Sequence, residues 1–329
     1  MTTSAPQASR SAALETVSIL MVAYRATDEL LACVRSIREL PDRSPREIIV
    51  MNNDPGDGLV ELMAEREPTV RVVESPGNVG FARAVNAAAH EATGHHLLLL
   101  NPDMVIRPGA VDALVDHSSA HPGAGLVGGR TLNPDGSVEP RSCWDAPSLW
   151  SVFCFATGLS TAFSSHPVLD PEAIGGWDRD TVRDVGVVTG CMLMATRDVW
   201  DRLGGFDERF WMYGEDLDLS LRARDLGFRP QITPDAEAVH YVGVSSSSDD
   251  RRVMVLKGRM TVYLTHFGRV RGRVAQSLTL GGVAARAGAS RLRRATERGD
   301  AGSGRRSDWE AAWVRRREWR SGYGPGDDS

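Results

Sequence analysis

The sequence predicts an α/β fold: a mostly parallel sheet flanked by helices, with a basic, helical C-terminal extension. Three observations predict it. Over the first 130 residues, short runs rich in Val, Ile and Leu alternate with segments of helical periodicity, as in repeated strand–helix–strand units. These runs are continuously apolar rather than alternating, which is how strands covered on both faces read. Charge is divided: residues 1–250 hold 20 Lys and Arg against 36 Asp and Glu, whereas residues 251–329 hold 18 against 7.

Taken in order, residues 1–16 read as disordered, and VSILMVA (17–23) as a buried strand. Thr27 or Asp28 is placed to cap a helix running to about Glu39. REIIVMNN (46–53) is a second strand, a short helix follows at 59–66, and VRVVE (70–74) is a third strand. Residues 80–91 predict a helix and HHLLLLN (95–101) a fully buried strand. Next come a helix from Pro108, a strand near 126–130 and a turn at Asn133-Pro134-Asp135-Gly136. Residues 140–186 break the rhythm. No charge lies between Asp145 and Asp170, where Trp150, Phe153, Phe155 and Phe163 fall, so this stretch reads either as a helix packed on the core or as a wall for a greasy acceptor. A strand at 187–195, helices at 197–203 and 215–226, strands near 229–233 and 238–242, a flexible Ser245–Ser248 run and a basic amphipathic helix at 251–267 complete the pattern. The boundaries drawn from this are a domain over 17–268, divided into halves 17–130 and 131–268, and an extension over 269–329.

Composition narrows the function classes. With 42% hydrophobic and 25% charged residues, the 329-residue chain can bury a sizeable core. The acidic body excludes nucleic acid as the partner of residues 1–250. Cys33, Cys143, Cys154 and Cys191 form no C-x-x-C pair, which points to a reduced, cytoplasmic protein without a zinc site. No signal peptide and no spanning helix are expected. The composition leaves the oligomeric state open.

Ligands of open α/β sheets bind at the carboxyl ends of strands. Ala23, Tyr24, Asn52, Asn101 and Asp103 all fall there. An Asp fixed behind LLLL suits Mg²⁺ or Mn²⁺, which keep waters and take phosphate oxygens as further ligands; it also suits a plain turn residue. Glu215, Asp216 and Asp218 stand at a helix start behind Phe210, Trp211 and Tyr213, where they would cap the helix or place a general base in a pocket. His240 ends the strand AEAVH and could bind a metal through a neutral ring nitrogen. Gly123-Ala-Gly125-Leu-Val-Gly128 matches a dinucleotide fingerprint, but it follows a helix and opens a strand, the reverse of what that site needs.

In order, VSILMVAYRA, EIIVMNNDPGDG, NVGFARAVNAAAHEATGHHLLLLNPD, and VTGCMLMATRDVWDRLGGFDERFWMYGEDLDLSLRARDLGF followed by AVHYVG resemble glycosyltransferase family 2, in its bacterial rhamnosyltransferase-like branch, over roughly residues 16–268. The resemblance implies a Rossmann-like GT-A fold and an inverting, metal-dependent transfer of a sugar, such as rhamnose or another hexose, from a nucleotide diphosphate to an acceptor hydroxyl. It implies that Ala23, Tyr24 and Asn52 cradle the base and ribose. Asn78, Gly80, Phe81 and Asn86 would back the nucleotide. Asp103, with Asn101 in the place of the first Asp of the DXD motif, would bind Mn²⁺ or Mg²⁺ and the diphosphate, helped by His240. Asp216, with Glu215 beside it in the ED motif, would take the acceptor proton. The implied donor is a dTDP- or UDP-sugar and the acceptor a glycan, a lipid-linked intermediate or a small natural product.

The family usually has Asp where Asn52 stands, so Asn52→Asp is expected to strengthen a base contact by restoring a charged acceptor. Two alternatives remain at this level. A sugar-1-phosphate nucleotidylyltransferase would want glycines straight after strand one, where Tyr24-Arg25-Ala26-Thr27 has none. A catalytically inactive nucleotide-binding scaffold would have no reason to keep Asp103, Asp216 and His240 together. For the tail, Trp309, Trp313 and Trp319 among Arg315, Arg316, Arg317 and Arg320 suit either peripheral membrane contact or docking onto the acidic domain.

Overall fold

A computed structural model describes residues 15–39, 43–241, 248–296 and 307–324. The element order is β1 (Val17–Ala23), α1 (Thr27–Arg38), β2 (Arg46–Asn52), α2 (Leu59–Arg66), β3 (Arg71–Glu74), α3 (Phe81–Glu91), β4 (His96–Leu100), β5 (Met104–Ile106), α4 (Ala110–Ala120), β6 (Leu126–Leu132), β7 (Cys143–Trp144), α5 (Leu149–Thr157), α6 (Leu159–Ala162), β8 (Arg183–Asp184), β9 (Val187–Val188), β10 (Met192–Thr196), α7 (Arg197–Leu203), α8 (Glu215–Asp225), β11 (Gln231–His240), α9 (Ser248–His266), α10 (Arg269–Thr296), α11 (Asp308–Val314) and α12 (Arg316–Trp319). The segments expected to be disordered (1–14 of 1–16) and flexible (245–247) lie outside the described residues.

The main sheet runs β3-β2-β1-β4-β10-β6-β11-β5, with β8 against β11. The pairs β3–β2, β2–β1, β1–β4 and β6–β11 are parallel, while β10 is antiparallel to both its neighbours. Side chains alternate across this sheet. Ile19, Met21, Val50, Leu98 and Leu100 face α1, α2 and α4, whereas Leu20, Ile49, Leu97 and Leu99 face α3, α7 and α8. Both faces are covered, which is why the strands read as unbroken apolar runs.

Three expectations are corrected. The run 187–195 is two strands: Gly190 breaks it, and Val187–Val188 pairs with Cys143–Trp144 in a separate two-stranded sheet. The strands expected near 229–233 and 238–242 are one, β11, with a register shift between Thr233 and Glu237; Pro234 has no N–H to donate there. Helix α1 opens after Ala26 with no side-chain cap, so Thr27 and Asp28 are its first residues.

The uncharged stretch divides its faces. Ser148 caps α5 reciprocally with Ser151, Val152 and Cys154 are buried, and Trp150 and Phe153 are exposed. The described tail packs on this helix. Val152 joins Val253, Leu256, Met260, Tyr263, Val283, Ala312 and Trp319 in a third core, with Trp309 and Trp313 against it. Arg252 lies over the Trp309 ring at 4.0 Å, and Arg294 pairs with Glu310 at 2.6 Å. The tryptophans offered to a membrane interface are thus turned inward, and docking describes the described part of the tail. Trp319 is fully buried and donates to the Ala312 carbonyl at 2.8 Å. Trp319→Ala is expected to cost about 3–5 kcal/mol, read as a lowered thermal midpoint of the full chain. Among the described residues, no helix is long and apolar enough to cross a membrane.

Candidate active site

Asp103 sits in the turn between β4 and β5, and the short β5 lies antiparallel beside the end of β11, with Met104 opposite His240. The Asp103 carbonyl accepts the Tyr241 N–H at 2.8 Å. This pairing brings His240 Nε2 to 3.3 Å from Asp103 Oδ2. On the other side of the ring, Nδ1 lies 3.5 Å from Glu139 Oε2. Glu139 is 1% exposed and is also held by Thr131 at 3.2 Å and Arg141 at 2.7 Å. Burial disfavours a charged imidazole, but hydrogen bonds to the two carboxylates outweigh it and push the His240 pKa up to about 9. Burial likewise raises Glu139, and the bonds from His240 and Arg141 outweigh it to leave that carboxyl below its usual range. Glu139 was missed in the sequence; a lone Glu between a turn and a proline carries no signal of its own.

Asp216 and Glu215 begin α8, and they diverge. Glu215 is 6% exposed, its Oε2 has no hydrogen-bond partner, and burial followed by the charge of Asp216 pushes its pKa well above the usual carboxyl range. Asp216 is half-buried: Oδ2 accepts the Gly190 N–H at 3.3 Å and Oδ1 the Leu217 N–H at 2.8 Å. Of the two expected acidic residues, Asp216 is the less buried, and its pKa is raised chiefly by burial. The turn before it is tightly built. Gly214 has φ +101°, and a Cβ there would stand 2.9 Å from the Gly258 Cα in α9.

The loop Thr189–Cys191 joins the two halves. Cys191 O accepts the Asn101 N–H at 3.0 Å, its Sγ accepts from Asn101 Nδ2 at 3.3 Å, and Gly190 holds Asp216. The Cys191 thiol is pushed up to about 12 by burial, with the charges of Asp216, Asp103 and Glu139 adding to it. The Asp103–His240 pair and Asp216 are thus tied to one short loop, the first through Asn101 and Cys191 and the second through Gly190.

The residues expected at the nucleotide are mostly engaged with each other. Ala23 is buried and its carbonyl accepts the Asn53 N–H at 2.8 Å; Tyr24 is half-exposed beside it. Asn78 Oδ1 accepts from Asn53 Nδ2 and from the Gly80 N–H, both at 3.1 Å. Gly80 has φ +84°, and a Cβ there would meet the Trp211 carbonyl at 2.6 Å, so glycine lets Phe81 and the Trp211 loop close up. Asn86 bonds Phe206 through both ends of its amide, each at 2.9 Å, and so braces the loop ahead of Asp216 rather than facing the crevice.

Asn52 corrects an expectation. It is fully buried, its Nδ2 donates to Asp57 at 3.0 Å and its Oδ1 accepts the Asp54 N–H at 3.1 Å. An Asp there would lose the donor and set two carboxylates against each other. Asn52→Asp is therefore expected to destabilise the chain by about 1–3 kcal/mol and not to tighten uridine or thymidine diphosphate. A thermal melt and a nucleotide titration check both.

Comparison with known proteins gives the family. The sequence pattern described as Glycosyl transferase family 2 matches residues 18–175. An N-acetylglucosaminyl-diphospho-decaprenol L-rhamnosyltransferase of Mycobacterium tuberculosis is 30% identical over 259 residues, 71% of this chain and 79% of that one. The chain belongs to glycosyltransferase family 2. The O-antigen biosynthesis protein RfbC of Myxococcus xanthus is 33% identical over half of this chain but only 12% of its own length. Among solved structures, the mannosyltransferase PcManGT of Pyrobaculum calidifontis, in complex with GDP-Man and Mn²⁺, aligns with a TM-score of 0.54 at 17% identity, over 94% of this glycosyltransferase and 86% of that chain. GalNAc-T7 with UDP, GalNAc and Mn²⁺ aligns with the same score at 16% identity, over 76% and 48%. These neighbours share the GT-A fold. As a family 2 glycosyltransferase, the enzyme transfers a sugar from a nucleotide-sugar donor, and the nucleotidylyltransferase and inactive-scaffold alternatives fall away.

Proposed function

We propose that this enzyme is an inverting, divalent-cation-dependent glycosyltransferase that moves rhamnose or a related hexose from a dTDP- or UDP-sugar onto the hydroxyl of a lipid-linked sugar diphosphate. One observation carries the reading: the positioned carboxylate of Asp216 is held by Gly190, and the next residue, Cys191, bonds Asn101 two positions before Asp103, which pairs with His240. The acceptor class follows the Mycobacterium tuberculosis relative, whose name gives a diphospho-decaprenol-linked sugar.

In this reading Asp216 takes the proton of the acceptor hydroxyl as its oxygen attacks the anomeric carbon. The carbon–oxygen bond to the diphosphate breaks on the opposite face, its electron pair stays with the phosphate, and the anomeric centre inverts. The residues on the leaving-group side fit a divalent cation. Asp103 offers a hard oxygen, His240 a ring nitrogen, and Glu139 stands behind His240 in the way that orients a metal-binding imidazole. Asp103 and His240 would hold Mn²⁺ or Mg²⁺, which neutralises the charge gathering on the departing diphosphate. Asn101, hydrogen-bonded to Cys191, leaves Asp103 as the charged member of its motif. The donor half, 17–130, and the acceptor half, 131–268, share one sheet, and the extension completes the third core.

Nucleotide release is the test. With Mn²⁺ present, dTDP-rhamnose is expected to release dTDP faster when a polyprenyl-diphosphate-linked N-acetylglucosamine is added, and chelation is expected to stop it. A donor panel in which neither dTDP- nor UDP-sugars turn over overturns the assignment.

A further inference from the structure

A cavity of about 600 Å³ opens between α5, the segment 170–179 and α9. It adjoins the active site through one chain of contacts: Arg141 lines it and bonds Glu139, which in turn holds His240. Arg179 also lines it and is the unusual member. Its side chain is 4% exposed, and its φ of +57° is rare for a residue with a side chain. Its terminal nitrogens donate to the carbonyls of Trp177 at 2.6 Å, Pro140 and Ala173 at 3.3 Å and Ile174 at 3.4 Å, and the guanidinium lies 5.1 Å from the centroid of the Trp177 ring. Among the described residues it has no carboxylate within 4 Å. Buried cations are normally paired with an anion, and the acidic lining is partly committed elsewhere: Glu172 to Arg259, and Asp170 to the Ser165 N–H at 2.9 Å. Asp178 lies exposed at the rim. The same helix that walls the cavity carries an uncovered apolar ridge. Trp150 stacks on Phe153 at 5.5 Å, and both are exposed with Phe163 and Val168.

We infer that this cavity binds the diphosphate of the acceptor, with Arg179 and Arg141 as its anion ligands and the ridge of Trp150, Phe153 and Phe163 carrying the isoprenoid chain. The inference rests on the lipid-linked acceptor proposed above and adds the place where it is held. Guanidinium groups suit phosphate oxygens, and an apolar ridge on the helix that walls the cavity separates a prenyl diphosphate from a bare one.

The test uses the full chain in EDTA, so that the Asp103–His240 side holds no metal, with farnesyl diphosphate and inorganic pyrophosphate as probes in calorimetric titrations. Farnesyl diphosphate is expected to bind more tightly than pyrophosphate, and without competition from dTDP. Arg179→Gln and Arg141→Gln are each expected to weaken it by about tenfold or more, equal to about 1.4 kcal/mol. Trp150→Ser with Phe153→Ser is expected to remove the preference for the prenyl chain and leave pyrophosphate binding unchanged. Arg179 ties four carbonyls, so its variant is first checked by thermal melt; if it does not fold, Arg141→Gln, with a largely exposed side chain, decides. Farnesyl diphosphate that binds no better than pyrophosphate, that is displaced by dTDP, or that ignores the arginine variants that fold overturns the inference. The nucleotide-release assay fails or succeeds separately, because it reads donor turnover and not diphosphate binding in EDTA.

Discussion

Asp216→Asn is expected to lower turnover by about 10²–10⁴-fold, the range for removing a positioned general base, while leaving the affinity for dTDP or UDP nearly unchanged. The substitution keeps the shape, and its one amide oxygen can still accept one of the Gly190 and Leu217 N–H groups, which now bond different carboxylate oxygens. What it removes is basicity. The pKa of Asp216 is raised, chiefly by burial, so the native rate should rise with pH through a range above that of ordinary carboxyls and fall as protonation disables the base. That limb is expected to be missing from the pH profile of the variant. A variant with a near-native rate, or one that loses nucleotide binding instead, places the base elsewhere.

Asp103→Ala is expected to cost at least about 10²–10³-fold in turnover, the magnitude for losing one charge-stabilising group at a leaving oxygen. It should also weaken Mn²⁺ binding, measured without substrate by electron paramagnetic resonance. The fold should survive, because Asp103 lies in a turn whose backbone bond to Tyr241 does not need the side chain. His240→Ala should weaken Mn²⁺ in the same assay. Unchanged Mn²⁺ affinity in both variants refutes the assignment of the cation to this pair.

Much of this arrangement was legible in the chain. The unbroken apolar runs at 17–23, 46–52 and 96–100 could only be strands covered on both faces, and Asp103 and Asp216 follow from the ordered motifs around them. Other features were not, for identifiable reasons. Asn52 occupies a motif position whose usual Asp suggests a base contact, yet its amide is consumed by a turn five residues long, which spacing alone does not reveal. Glu139 becomes the partner of His240 across 101 residues of sequence. Tyr323, in the tail, donates to the Met212 carbonyl at 2.7 Å in the loop ahead of Asp216, a contact no local pattern encodes.

By itself, the sequence determined the strand–helix alternation, the split between an acidic body and a basic tail, and the carboxylates and histidine offered for the proposed metal and base. All of these depend on residue type and on neighbours a few positions away. Tertiary structure alone decided that Glu215 is buried while Asp216 is half-buried, that the tail tryptophans fill a core on α5, and that Arg179 is buried at the neighbouring cavity. Those outcomes depend on which surfaces meet, and burial, the quantity that sets both packing energy and pKa, exists only once they have met.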